Sequence, residues 1–313
     1  MNRICTFFAL LLMMPVALFS QNSTNRIHDP YFKCGFSVVS PNAPADSIYS
    51  QLLVDSTATP VWTLRQYNSR FDIANNEYEN IANRYVFKVP GNGNLLAKSL
   101  TVNPAKGMLT LECNASAEYT GLRRSHQPWV YMTIDAPTDT IALSACKSLK
   151  LSLSYKLLSY EDCMGFLADK SFHGATYRVA LKLLNVNRES MSFGKSFRLV
   201  LVLFDNRYVG YPCLARYTEV KSPLGGDFAF YPATNTYLPS ATNGHLPKIR
   251  QSVELNAELI PIIEKAIASS VSNDLLSDTQ INDWEIVACD LGWEMTGTYN
   301  AVMQVRSLQL VAQ

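Results

Sequence analysis

Residues 147–157 alternate almost strictly: Leu149, Leu151, Leu153, Tyr155 and Leu157 fall on one side of an extended chain, and Lys150, Ser152, Ser154 and Lys156 on the other. A period of two marks a strand with one covered face and one wet face. A sheet built from such strands needs a second layer to close its apolar side. The same kind of run recurs at residues 61–67, 83–89, 95–102, 108–115, 128–135, 176–185 and 196–205. Turn signals punctuate them, among them Pro90-Gly91-Asn92 and Asn103-Pro104 with Gly107. Short, regularly spaced strands of this kind predict an all-β fold, a two-sheet antiparallel β-sandwich of jelly-roll type. Residues 196–205 are almost continuously apolar, which predicts a central strand covered on both faces.

Toward the end of the chain the period changes. Leu255, Leu259, Ile262, Ile263, Ala266, Ile267 and Val271 repeat at three- and four-residue steps, predicting one amphipathic helix over 255–271, with Asn256 as its cap and Pro261 tolerated early. Two extended runs then follow, residues 283–294 and 299–312, on either side of a short segment holding Gly297; they read as a closing β-hairpin. Residues 206–251 are rich in Gly, Pro, Asn and Tyr and read as a structured excursion over one sheet, because disordered segments are poor in aromatics.

The first 20 residues carry one positive charge, Arg3, ahead of an apolar run, and read as a secretory signal peptide cut after Ser20. The run is short for a bilayer span of about 20 residues, so no membrane span is expected in the mature chain. No Cys sits directly after the cleavage point, so lipid attachment is not indicated, and the expected location is secreted or periplasmic. Residues 21–59 read as an N-terminal linker with a short strand at 36–39 and a brief helix at 45–53; residues 60–313 form the β-sandwich domain. Beyond the signal segment stand Cys34, Cys113, Cys146, Cys163, Cys213 and Cys289, an even number that permits disulfides in an exported chain. No C-x-x-C spacing points to zinc, and Cys113 and Cys289, in apolar runs, read as buried thiols. The charges balance at 27 Lys and Arg against 26 Asp and Glu with no basic stripe, which excludes nucleic acid as a partner. Sixteen Tyr suit a surface for neutral or lightly charged ligands, although Tyr also simply favours strands.

Four segments in order carry a resemblance: residues 121–134 with Gly121, Arg123, Arg124, His126 and Trp129; residues 204–208 (Phe204-Asp205-Asn206-Arg207-Tyr208); the helix; and Leu291-Gly292-Trp293-Glu294 before the last strand. Together they resemble secreted bacterial jelly-roll or concanavalin-like β-sandwich domains that occur with polysaccharide-utilisation machinery and are mostly of unassigned activity. The resemblance covers residues 60–312 and implies a fold and a glycan context, but no catalytic residues. Trp129-Val130-Tyr131 departs from the Trp-x-His pattern of such domains, so no histidine role carries over there.

Three groups of residues are candidates for ligand binding. Arg123 and Arg124 can fork onto a uronate carboxylate or a sulfate, with His126 beside them and Trp129 stacking on a sugar; the alternative puts Trp129 in the core and the arginines in solvent. Asp205, Asn206, Arg207 and Tyr208 end a buried strand, where Asp205 and Asn206 can bond hydroxyls or offer oxygens to a structural Ca²⁺; alternatively Asp205 and Arg207 pair locally. Glu294 follows Trp293, four residues after Asp290, and extended spacing of about 3.3 Å per residue sets those two carboxylates some 13 Å apart, too far to be partners unless the strand bends at Gly292. The alternative for Glu294 is an ion pair with an arginine such as Arg306. No other cofactor is indicated, and no nucleophile-elbow, zincin, P-loop or dinucleotide motif occurs. The expected function is polysaccharide or oligosaccharide binding through a loop-covered face. The alternatives are a glycoside hydrolase or polysaccharide lyase acting on a complex polysaccharide, and a structural protein of the cell envelope.

Overall fold

The protein is described by a computed structural model covering residues 23–41, 47–92, 95–207, 216–219, 226–238 and 247–313; the predicted signal peptide, Tyr208 and Cys213 lie outside these. In chain order the elements are β1 Thr24–Asn25, β2 Phe36–Val39, β3 Ile48–Leu52, β4 Trp62–Tyr67, β5 Glu77–Ile81, β6 Arg84–Pro90, β7 Leu96–Asn103, β8 Met108–Asn114 and a single helical turn, α1 Ala115–Glu118. They continue with β9 Val130–Ala136, β10 Ile141–Ala142, β11 Leu149–Asp162, β12 Ala175–Asn185, β13 Ser196–Asp205, β14 Arg216–Glu219, β15 Phe228–Tyr231, β16 Ser252–Glu258, α2 Ile260–Val271, β17 Trp284–Met295 and β18 Tyr299–Ala312.

Among the described residues these strands form two sheets. One has eight strands in the order β16-β11-β18-β8-β7-β6-β5, with β1 also on β18. The other has ten, β14-β15-β13-β12-β17-β9-β4-β2-β3, with β10 also on β17. The β-sandwich read from the sequence is therefore present, although not purely antiparallel, since β2 runs parallel to β4 and β15 parallel to β13. Between the sheets lies one continuous core. Leu149, Leu151, Leu153, Tyr155 and Leu157 of β11 enter it from one side, each no more than 2% exposed, and Leu291, Trp293 and Met295 of β17 from the other. β13 is buried on both faces, as its apolar run predicts: Leu199, Leu201 and Leu203 point into the main core, while Val200 and Val202 pack with Ala180 and Ala229 on the reverse side.

The last two strands do not form a hairpin. β17 pairs with β12 and β9 in the ten-stranded sheet, and β18 with β11 and β8 in the eight-stranded one. Residues 296–298 are thus a crossing between layers. A hairpin would leave Trp293 and Tyr299 side by side in one sheet, whereas the crossing lets both rows of apolar side chains face a shared core. Trp293 reaches right across it, its indole Nε1 donating to the carbonyl of Leu111 in β8 at 3.1 Å.

Three further expectations are corrected. The helix starts at Ile260, not at 255, and Asn256 does not cap it, because Ser252–Glu258 pairs with β11 from Lys156 through Lys150. Its Leu255 and Ala257 alternate with exposed Glu254, Asn256 and Glu258, a period of two that overlaps the helical spacing of Leu255 and Leu259. Pro261 sits in the first turn of α2, where no backbone donor is missed. Residues 48–52 are a strand, not a helix, since they find β2 as a partner. Finally, the stretch read as a linker is woven into the fold. β2 lies between β3 and β4, and Phe32 stacks on Trp62 at 4.6 Å while the indole of Trp62 donates to the Asp29 carbonyl at 3.2 Å.

Cys34, Cys113, Cys146, Cys163 and Cys289 are all free thiols, so the permitted disulfides are absent among the described residues. Burial pushes the thiols of Cys113 and Cys289 up to about 12. No helix of the described residues is long and apolar enough to cross a membrane.

Two outcomes are expected. Gly292 has φ +150°, and a Cβ there would run into the Met132 carbonyl and the Thr133 Cα on the neighbouring strand. Gly292→Ala should therefore lower the unfolding free energy by about 2–4 kcal/mol in urea denaturation, and an unchanged midpoint would contradict this packing. Thiol labelling of the folded protein at pH 8, read by peptide mass, should leave Cys113 and Cys289 unmodified and label them only after denaturation.

Candidate functional site

The face of the ten-stranded sheet turned away from the core carries an unusual density of charge. Along each strand it is occupied by the residues that alternate with core side chains: Arg65 and Tyr67 on β4, Tyr131, Thr133 and Asp135 on β9, Asp290, Gly292 and Glu294 on β17, Arg178 on β12 and Arg198 on β13. Register sets their neighbours. Asp290 lies opposite Asp135, Gly292 between Thr133 and Arg178, and Glu294 between Tyr131 and Thr176. Paired positions on a sheet bring Cβ atoms to about 5 Å, so these side chains share one surface.

Arg178 organises the cluster. Its Nη1 donates to Asp290 Oδ1 at 2.6 Å and its Nε to Glu294 Oε1 at 2.8 Å, so one guanidinium spans the two carboxylates that extended spacing alone keeps apart. Gly292, which has no side chain, lies between them. Arg198 donates to the other oxygen of Asp290, and Arg65 Nε donates to Asp135 Oδ2 at 2.5 Å. Three carboxylates and three guanidiniums leave a formal charge of zero. The side chains of Arg178, Asp290 and Arg198 are 2%, 4% and 5% exposed, whereas Glu294 and Asp135 retain 17% and 29%. Burial, with Arg178 close by, pushes Arg198 down to about 10, and burial next to Glu294 raises Tyr131.

At one end of this row stands an aromatic strip. Trp129 is 43% exposed and its ring lies 6.2 Å from that of Tyr131, which in turn meets Tyr67 edge-on at 6.3 Å. Asn68 Nδ2 holds the Trp129 carbonyl at 2.6 Å, and Arg65 Nη1 donates to the Tyr67 hydroxyl at 3.1 Å. The exposed Trp129 ring packs beside Tyr131, and Tyr131 is the strand partner of Glu294, so an apolar ring and a partly exposed carboxylate stand on one face.

The residues singled out from sequence divide accordingly. Trp129 and Glu294 flank Tyr131 on this face, Trp129 outside the core and Glu294 paired with Arg178 instead of Arg306. Arg123 is 2% exposed and structural, donating through Nη1 to the Thr296 carbonyl at 2.6 Å and through Nη2 to the Gln127 carbonyl at 2.5 Å. Arg124 and His126 are exposed and line a separate polar cavity with Arg123. Asp205 is occupied by Arg207, whose Nε and Nη2 donate to its two oxygens at 2.8 and 2.5 Å, and Asn206 Oδ1 accepts the Ala175 amide at 2.6 Å. Those oxygens end the strand and do not converge on a Ca²⁺ site; among the described residues no group of three His, Cys, Asp or Glu is arranged to hold a metal. Arg178, Arg198, Arg65 and Asp135 were not singled out. A signal existed, because Arg178 and Arg198 interrupt apolar strand runs, and a charge buried in such a run requires a partner.

No protein-family model matches the chain, and no curated protein matches it. Among solved structures, a meso-active, thermostable cellulase derived from Cel12A of Rhodothermus marinus overlays with a TM-score of 0.40 at 12% identity, covering 76% of this chain and 96% of that one. A family 12 xyloglucanase from Bacillus licheniformis gives 0.40 at 11% identity, covering 76% and 97%. The xyloglucanase domain of NopAA from Sinorhizobium fredii, in complex with cellobiose, gives 0.36 at 8%, covering 76% and 96%. Overlaps this loose leave the chemistry of the face to its own residues.

Removing Arg178 strips Glu294 of its partner and leaves Asp290 to Arg198 alone. Arg178→Met should cost about 3–5 kcal/mol in urea denaturation, the range for breaking a buried pair from one side. Lys88→Met, which breaks a surface pair with Glu79 whose side chains are 29% and 44% exposed, should cost about 1 kcal/mol or less. Equal losses would contradict the central place given to Arg178.

Proposed function

We propose that the chain is an exported carbohydrate-active β-sandwich protein that takes an oligosaccharide on the outer face of its ten-stranded sheet. The observation that carries this reading is Trp129, exposed at 43% and set beside Tyr131 in a row that continues into Glu294. A flat apolar ring next to charged acceptors and donors matches a pyranose, whose faces carry C–H groups and whose rim carries hydroxyls. The export half of the proposal rests on the apolar run of residues 1–20 and places the protein outside the cytoplasm, secreted or periplasmic.

Recognition without cleavage is the leading reading of this face. Asp135, Asp290 and Glu294 each accept a bond from an arginine and are committed to the sheet's own ion pairs. A specific observation also favours a second reading, glycoside hydrolysis. Asp290 and Glu294 converge on one guanidinium and Asp135 stands opposite Asp290, so three carboxylates share a single surface. Glu294, at 17% side-chain exposure, is the one of the pair on Arg178 within reach of a ligand.

Affinity electrophoresis and calorimetry against a panel of neutral and acidic polysaccharides test both. The wild type should be retarded by at least one glycan without releasing reducing ends, and Trp129→Ala should weaken that binding at least about tenfold, roughly 1.4 kcal/mol. Release of reducing ends that vanishes in Glu294→Gln would establish hydrolysis instead. Absence of retention by every glycan would overturn the proposal.

A further inference from the structure

A second cavity, of about 720 Å³, opens at the end of the sandwich where the chain crosses between sheets. Its walls come from residues 120–127 and from the loop between β11 and β12. The charged or titratable side chains lining it are Arg123, Arg124, His126 and His173, with Gln127 beside them, and no Asp or Glu is among its lining residues. Asp162, the last residue of β11, and Asp169, the one acid of the β11–β12 connection, each commit an oxygen to local groups, and Asp169 also faces His173. Asp162 Oδ1 accepts the amides of Met164 and Gly165 at 2.8 and 2.9 Å, and Asp169 Oδ1 accepts the Ser171 amide at 2.9 Å and its hydroxyl at 2.7 Å.

The positive charge behind this wall is uncompensated. Arg123 is 2% exposed, and its bonds go to the carbonyls of Thr296, Gln127 and Ser125 and to the Tyr119 hydroxyl, never to a carboxylate. Its Nε is buried with no hydrogen-bond partner. A buried guanidinium without a counter-ion is costly, and an anion held nearby offsets that cost. Arg124 and His126 are exposed and form no ion pair among the described residues. The turn that carries them is fixed at both ends: the Gln127 amide donates to the Arg124 carbonyl at 3.0 Å and the Gln127 side chain accepts the Arg124 amide at 2.6 Å. His173 forms a rigid wall. Its Nδ1 accepts the Asp169 amide at 3.0 Å, which leaves the proton on Nε2 to donate to the Arg123 carbonyl at 3.1 Å.

We infer that this cavity is an anion subsite for a carboxylate or sulfate group of an acidic sugar, with Arg124 and His126 donating to its oxygens and Arg123 supplying fixed positive charge from behind. The subsite stands on its own residues; only its assignment to a sugar rests on the glycan reading above. Trp129 follows His126 by three residues, no more than about 11 Å of chain, so the ring and the cavity wall stand at the same end of the sandwich.

The test titrates the full chain, at constant ionic strength in sodium chloride, with sodium glucuronate, with inorganic sulfate and with glucose, followed by calorimetry. Saturable binding of glucuronate or sulfate, with none of glucose, is expected, and the anion that binds identifies the source as a uronate or a sulfate ester. Arg124→Gln with His126→Gln should weaken that binding at least tenfold at an unchanged melting temperature, and the two single variants should each show part of the loss. No saturable binding of either anion, or equal binding by the double variant, would overturn the inference. Failure of the glycan reading is seen separately, as absence of retention by neutral and acidic polysaccharides while the small anions still bind.

Discussion

The crossing at residues 296–298 is the constraint on which the two layers depend. It is held from three directions: the Thr296 amide donates to the Gly174 carbonyl at 2.8 Å, the Cys163 amide to the Thr298 carbonyl at 3.2 Å, and Arg123 donates to the Thr296 carbonyl while its own amide reaches the Thr298 hydroxyl at 2.8 Å. These bonds satisfy backbone groups that a buried crossing would otherwise leave without partners. They also fix where β17 stops and β18 begins, so that Trp293 and Tyr299 enter the core from opposite sheets. Arg123 gives its Nη1 and its backbone amide to this task, and the neighbouring Arg124 and His126 stand clear of it on the surface.

From that placement the outer face of the ten-stranded sheet follows. Once Leu291, Trp293 and Met295 point inward, the pleat obliges Asp290 and Glu294 to point outward. The same logic on β12 turns Arg178 toward them. The cluster is neutral as a whole yet locally polarised, and its buried members, Arg178, Asp290 and Arg198, form a fixed floor beneath the more exposed Glu294 and Asp135. A floor of ion pairs resists rearrangement because removing any one member strands another. That rigidity suits a surface that orients a ligand.

How much of this can be read from residues alone differs by scale. The strict alternation of residues 149–157 announces both a strand and the face it buries, and the unbroken apolar run of residues 196–205 announces a strand covered twice. The crossing was hidden because a short Gly-containing segment between two extended runs looks the same whether the runs pair or separate; only the partners β12 and β8, far away in sequence, decide it. The extent of α2 was blurred by Leu255, whose spacing to Leu259 fits a helix while its neighbours fit a strand. In the site, Trp129 and Glu294 were legible as residue types. Their grouping was not, because Arg178, which brings Asp290 and Glu294 together, comes more than a hundred residues earlier and meets them only through register. Asp205 and Arg207, two residues apart in sequence, turned out to be occupied with each other.

The central claim, that an oligosaccharide lies against the outer face at Trp129, is open to one direct reading. Of the four tryptophans, Trp62, Trp284 and Trp293 are each 0% exposed, and Trp129 alone, at 43%, meets solvent. Acrylamide quenching of intrinsic fluorescence therefore reports on Trp129 in the native protein, and the account predicts that saturating oligosaccharide abolishes most of the quenchable fraction. Saturable oligosaccharide binding that leaves the quenching of Trp129 unchanged would contradict it.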